Sequence, residues 1–130
     1  MTINADGWTY NDLEFILGGG KFKFGQNNNS EGVKATRVQF GGSGNKGKQA
    51  LVFEAPAAGT LYVEVVSAGD ASRTIGVQID DNAVMELASP DKTQPAAILE
   101  FDCSDAVAGS KIYIFSTNGG NNLFSIKYEM

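Results

Sequence analysis

The sequence predicts an all-β fold: one antiparallel β-sandwich, wound as a jelly roll, in a single domain spanning residues 1–130. Three observations carry this expectation. Apolar residues recur with a period of two almost everywhere, the mark of strands with one buried face. Clusters of Gly, Asn, Asp, Ser and Pro interrupt them about every eight to twelve residues, the spacing of a sandwich or barrel. No stretch holds a convincing helical stripe.

Taken in order, "NDLEFIL" could form a helical turn, but Phe15-Ile16-Leu17 before three glycines fits a strand as well. In "GKFKFGQ", Lys21 and Lys23 alternate with Phe22 and Phe24, a strand with one wet face. "QALVFEAP" is short, apolar and stopped by Pro56, again a strand. "TLYVEVVS" sets Leu61, Val63 and Val65 against Tyr62, Glu64 and Val66. "RTIGVQID" sets Ile75, Val77 and Ile79 against Thr74, Gly76 and Gln78, and Asp80 to Asn82 turn it into a tight hairpin. "AAILEF" carries Leu99 and Phe101 on one side, and "KIYIFS" carries Ile112 and Ile114. "NLFSIKYE" carries Phe124, Ile126 and Tyr128 against Ser125 and Lys127. About nine or ten strands follow, with Val63, Val65, Ile75, Val77, Leu99, Phe101, Ile112, Ile114, Phe124 and Ile126 as the expected core.

A chain of 130 residues can bury one real core but not two. It has no apolar run of about 18 residues, so no helix of it would span a membrane. The opening "MTINADGWTY" shows no charged-then-apolar leader. The expectation is an exported, monomeric module whose signal and neighbouring domain lie outside this sequence. Histidine is absent, which removes Ser-His and Cys-His nucleophile pairs and imidazole metal sites. Cys103 stands alone at the end of an apolar run and reads as a small buried residue.

The stretch "GGSGNKGK" resembles a phosphate loop, but the hydroxyl that would hold magnesium is replaced by Gln49, and a strand follows instead of a helix. Carboxylate pairs for glycoside hydrolysis are inevitable among fifteen acidic residues and carry little information. Short strands also leave little room for a deep catalytic cleft, so no enzyme activity is expected. Asp80, Asp81 and Asn82, with Asp70, are oxygen ligands that could hold a structural calcium; a solvated hairpin turn explains them more simply, and no cofactor is expected. The low pI of about 4.6 opposes a nucleic-acid partner.

Charge is nevertheless uneven. The net charge is −5, yet residues 18–50 hold six basic residues (Lys21, Lys23, Lys34, Arg37, Lys46 and Lys48) against the single acidic Glu31. A local positive field of this kind attracts an anionic ligand. A flat neutral glycan is met by exposed aromatic platforms, whereas the one Trp, Trp8, lies near the terminus and the tyrosines are dispersed. These two features favour an acidic polysaccharide. The site expected from charge comprises Lys46 and Lys48 on a low glycine-rich loop, with Lys34, Arg37, Arg73 and Lys92 as companions. Two alternatives stay open: a β-glucan or hemicellulose module using Tyr62, Tyr113 and Phe115 on the second face, and a purely structural or protein-interaction sandwich.

The segments "WTYNDLEF", "TRVQFGGSG", "LVFEAPAAGTLYVEVVSAGDASRTIGVQI" and "KIYIFSTNGGNNLFSIKYE" occur in an order that resembles the carbohydrate-binding modules of family 77, attached to bacterial pectate lyases. Each segment is short and strand-like; their order carries the likeness. The resemblance implies a non-catalytic jelly roll that binds pectin, chiefly low-methylester homogalacturonan, through basic residues, and so targets a pectinolytic enzyme. Arg37 and Arg73 fall where such modules also carry arginine.

Overall fold

The computed structural model describes residues 2–3 and 14–130, so Trp8 and most of "WTYNDLEF" lie outside the described residues. Among the described residues there are eleven strands: β1 (Thr2–Ile3), β2 (Glu14–Ile16), β3 (Phe22–Asn28), β4 (Lys34–Phe40), β5 (Ala50–Glu54), β6 (Gly59–Ser67), β7 (Arg73–Ile79), β8 (Met85–Ser89), β9 (Ala97–Cys103), β10 (Lys111–Ser116) and β11 (Asn121–Glu129). They form two antiparallel sheets. One runs β3-β4-β11-β6-β9, with β1 also pairing along β11; the other runs β2-β5-β10-β7-β8. After β4 the chain changes sheet at every connection except the β7–β8 hairpin, so neighbours in sequence close the sandwich rather than a single layer.

The core lies between the sheets, where the period of two places it. Leu61, Val63 and Val65 of β6 face Ile75 and Val77 of β7 and Ile112 and Ile114 of β10, all fully buried. Phe53 and Tyr128 meet edge to face, with ring centres 5.4 Å apart, and the Tyr128 hydroxyl donates to the Ala57 carbonyl at 2.7 Å. Cys103 is buried in the same cluster; burial, and then the Asp102 carboxylate, push its thiol up to about 11. Leu99, expected in the core, is only partly buried and packs against it from edge strand β9.

Phe124 departs from the expected alternation. Leu123 pairs with Val65 and Ser125 with Glu64, so Phe124 is the extra residue of a β-bulge. The bulge turns both Leu123 and Ile126 into the core and leaves Phe124 outside it. Phe124 is buried instead in a second cluster, with Ala35, Val66 and Ala96, on the outer face of the six-stranded sheet. Burial of such a ring stabilises by about 1.5–3 kcal/mol, which holds the overlying loops to the sheet.

The glycine-rich turn between β4 and β5 packs around a buried glutamine. Gln49 is buried at φ 50° and its side chain fills the space beside Gly20, where a Cβ would sit 1.9 Å from the Gln49 Cγ. Gly20 and Gly44 leave the room that the Gln49 side chain takes.

Ile114 is fully enclosed, so Ile114→Ala is expected to lower the unfolding free energy by about 2–5 kcal/mol in chemical denaturation. A loss below about 1 kcal/mol would contradict a sealed inter-sheet core at this position.

Candidate functional site

Two loops rise over the outer face of the six-stranded sheet and make a groove of 570 Å³ between them. Asn27 to Gly32, from the β3–β4 hairpin, form one wall; Lys92, Thr93, Gln94 and Pro95, from the β8–β9 connection, form the other. Val66 of β6 and Asn122 of β11, which pair across the sheet, supply the floor.

Each wall is fixed by its own sequence. Asn29 Oδ1 accepts from the Glu31 amide at 2.9 Å and the Val33 amide at 3.1 Å, and Gly32 takes the left-handed φ of 74° that the turn requires. On the far side of the hairpin tip, Ser30 donates from its amide (2.9 Å) and its hydroxyl (2.5 Å) to Glu64 Oε2, while Ser125 donates to Glu64 Oε1 at 2.8 Å. In the opposite wall, the Asp91 carboxylate accepts from the Thr93 amide and hydroxyl. These bonds, the hydroxyl's first, hold the Asp91 carboxyl below its ordinary value. The Lys92 amide donates to the Gly69 carbonyl at 2.9 Å and its ammonium pairs with Asp70 at 3.1 Å.

The groove is lined mainly by amide and hydroxyl groups. Such groups both donate and accept, as the hydroxyls of a sugar do. Asn122 Oδ1 is buried with no hydrogen-bond partner among the described residues, and Asn122 itself is 8% exposed. An unpaired buried carbonyl costs about 1–3 kcal/mol, which a donor entering the groove would recover.

The six cations expected from the sequence are not brought into one cluster. Lys92 lines the groove. Lys34 pairs in register with Asn28 of the wall. Arg37 lies flat over Gly25, where a Cβ would meet its guanidinium at 2.9 Å, and donates to Asn27 Oδ1 at 2.8 Å and the Lys23 carbonyl at 2.9 Å. It therefore orients a wall residue. Arg73 packs against Gly69 and Gly119 and donates to the Gly120 carbonyl at 2.9 Å, behind the loop that Lys92 holds.

Lys46 and Lys48 lie elsewhere. Lys46 pairs with Asp81 of the β7–β8 turn and sits 6.0 Å from the Tyr113 ring, on the outer side of the five-stranded sheet. Lys48 is exposed and its backbone closes the turn with Asn45.

The carboxylates read as a candidate calcium site are engaged separately. Asp70 pairs with Lys92, Asp81 with Lys46, and Asp80 Oδ1 accepts from the Lys111 amide at 2.9 Å. Among the described residues, no three His, Cys, Asp or Glu side chains come together as a metal site. The aromatic alternative also changes. Tyr62 is on the six-stranded sheet, Tyr113 and Phe115 are on the five-stranded sheet, and Phe115 is 2% exposed, so the three make no platform.

Apart from Lys92, sequence reasoning missed the groove residues. "GQNNNSEG" and "SPDKTQP" read as turn clusters, which they are. Three successive asparagines with a following serine were the only available signal of a polar wall.

No family model matches the chain, and no curated protein matches it. Solved structures do. The C-terminal family 6 carbohydrate-binding module of a marine laminarinase from Zobellia galactanivorans aligns over 100% of this chain and 98% of its own, with 18% identity and a TM-score of 0.59. A family 6 module from Clostridium cellulolyticum, in complex with xylose, aligns over 100% and 97%, with 16% identity and a TM-score of 0.57. A family 6 module from Clostridium stercorarium, in complex with cellobiose, aligns over 99% and 92%, with 9% identity and a TM-score of 0.58. The likeness defines the class of fold: the β-sandwich of family 6 carbohydrate-binding modules, matched along nearly the whole length of each. The likeness to family 77 drawn from the sequence has no counterpart among these matches.

The Lys46–Asp81 pair gives a pH signature. The hydrogen bond from Lys46, then its charge, lowers the Asp81 carboxyl below its ordinary value. The pair's contribution is therefore present above the ordinary carboxylate value and is lost as pH falls through the depressed one. Carboxyl NMR titration should show Asp81 titrating low in the parent and at the ordinary value in Lys46→Ala. An unchanged titration would mean that the pair does not form.

Proposed function

We propose that the chain is a non-catalytic carbohydrate-binding module that seats a glycan in the amide-lined groove on the six-stranded sheet. The observation that carries this reading is the floor: Asn122 Oδ1, buried and without a hydrogen-bond partner among the described residues, beneath walls that present Asn27, Asn28, Thr93 and Gln94. A ligand rich in hydroxyls supplies the missing donor and satisfies the wall amides in turn. Full-length likeness to family 6 modules supports the same reading.

For the class of polysaccharide, we propose an acidic plant cell-wall polymer, low-methylester homogalacturonan, with uronate carboxylates meeting Lys92 at the groove. Three features support it: Lys92 in the groove lining, Arg37 behind Asn27, and the order of segments resembling pectin-binding modules. Lys46 and Lys48 then serve the opposite face, and Arg73 braces the loop behind Lys92. The module would be exported and would target an appended pectinolytic enzyme. A second reading, a neutral xylan or β-glucan, is favoured by the uncharged lining and by the xylose and cellobiose bound to similar folds.

Affinity electrophoresis against polygalacturonate, highly methylesterified pectin, xylan and a soluble β-glucan separates these readings. The acidic reading expects retardation by polygalacturonate, weakening as esterification and salt rise, because exposed ion pairs are screened within about 8–10 Å. Retardation by the neutral polymers alone would refute it. Retardation by none would favour a structural or protein-interaction domain. Asn122→Ala is expected to weaken binding about tenfold, the loss of roughly one hydrogen bond.

A further inference from the structure

The hairpin crosses the sheet on one side of the groove. Ser30, at the tip of the β3–β4 hairpin, reaches across β11 to Glu64 of β6 and is held there by two hydrogen bonds. Glu64 is in turn fixed by Ser125 of β11. Near this crossing, Phe124 is 1% exposed and packed with Ala35, Val66 and Ala96. The floor residues Val66 and Asn122 lie on the other side of the crossing from Tyr62 and Lys127, which pair farther along the same strands. A polymer entering past Lys92 therefore meets a wall at Ser30 and Glu64.

We propose that the groove binds the terminal residues of a glycan chain rather than its interior, and that the Ser30–Glu64 clasp sets this choice. This deepens the glycan reading above and rests on it. A blind groove accepts a chain only by its end. An open one would let a chain lie through it, continuing along β6 and β11 past Glu64. Glu64 acts here as a positioning residue: it touches no sugar and works through Ser30. The preference applies to acidic and neutral chains alike, because it is made by shape.

The test is titration of the intact protein with polygalacturonate and, in parallel, xylan, each before and after limited acid hydrolysis. If ends are bound, shortening chains about tenfold lowers the mass of sugar at half-saturation about tenfold, while half-saturation in moles of chain stays constant. Half-saturation that depends only on sugar mass, whatever the chain length, would overturn the proposal. Glu64→Ala should open the wall and gain binding to unhydrolysed polymer. Ser30→Ala, which removes one clasp bond and leaves the core untouched, should move the same way to a smaller degree. Loss of binding to short and long chains alike in Ser30→Ala, with unchanged melting, would place Ser30 in contact with sugar and also overturn the proposal. If the parent protein binds neither polymer nor oligosaccharide, the glycan reading falls, and this inference with it.

Discussion

The outer face of this sandwich depends on one extra residue in β11. Alternation with a period of two would place Phe124 in the core and Leu123 outside. The bulge between Leu123 and Ser125 reverses this locally, so Leu123 and Ile126 both face inward. Phe124 is left on a surface where an uncovered ring is unfavourable. It packs there against Ala35 at the start of β4, Val66 of β6 and Ala96 just before β9. The β3–β4 hairpin that leads to Ala35 and the β8–β9 connection that leads to Ala96 are also the walls of the groove. Packing and site thus share one cause.

Charge in this protein is settled locally before it is available to a ligand. The basic bias of residues 18–50 is real in the sequence. In three dimensions Lys46 goes to Asp81, Arg37 to Asn27 and a backbone carbonyl, and both sheets receive a share. A segment sum measures neighbours along the chain, whereas a field depends on neighbours in space. Lys92, far from the basic segment in sequence, is the cation that lines the groove.

The strands and most of the core were legible because period-two patterning directly reports which side chains a sheet buries. Nine of the ten expected core residues pack in or against the inter-sheet core, and Leu99 is only half-buried because β9 is an edge. Phe124 was not legible: a bulge shifts the register without any residue that announces it. The groove was hidden for a different reason. Asn29 and Asp91 are turn formers and serve as such, yet the turns they build position Asn27, Asn28 and Gln94 over the sheet. Which two turns face each other is a property of topology, and the sequence order of β3–β4 and β8–β9 conceals it.

The central claim is that a glycan occupies the groove over Asn122 and Val66. Amide chemical-shift mapping with short oligogalacturonides and xylo-oligosaccharides tests it most directly. The account predicts saturable shifts confined to residues 27–32, 92–95 and Asn122 and its Val66 partner, with little change around Tyr113 and Lys46 on the other sheet. Shifts centred on the Lys46–Lys48 turn, with a silent groove, would contradict it.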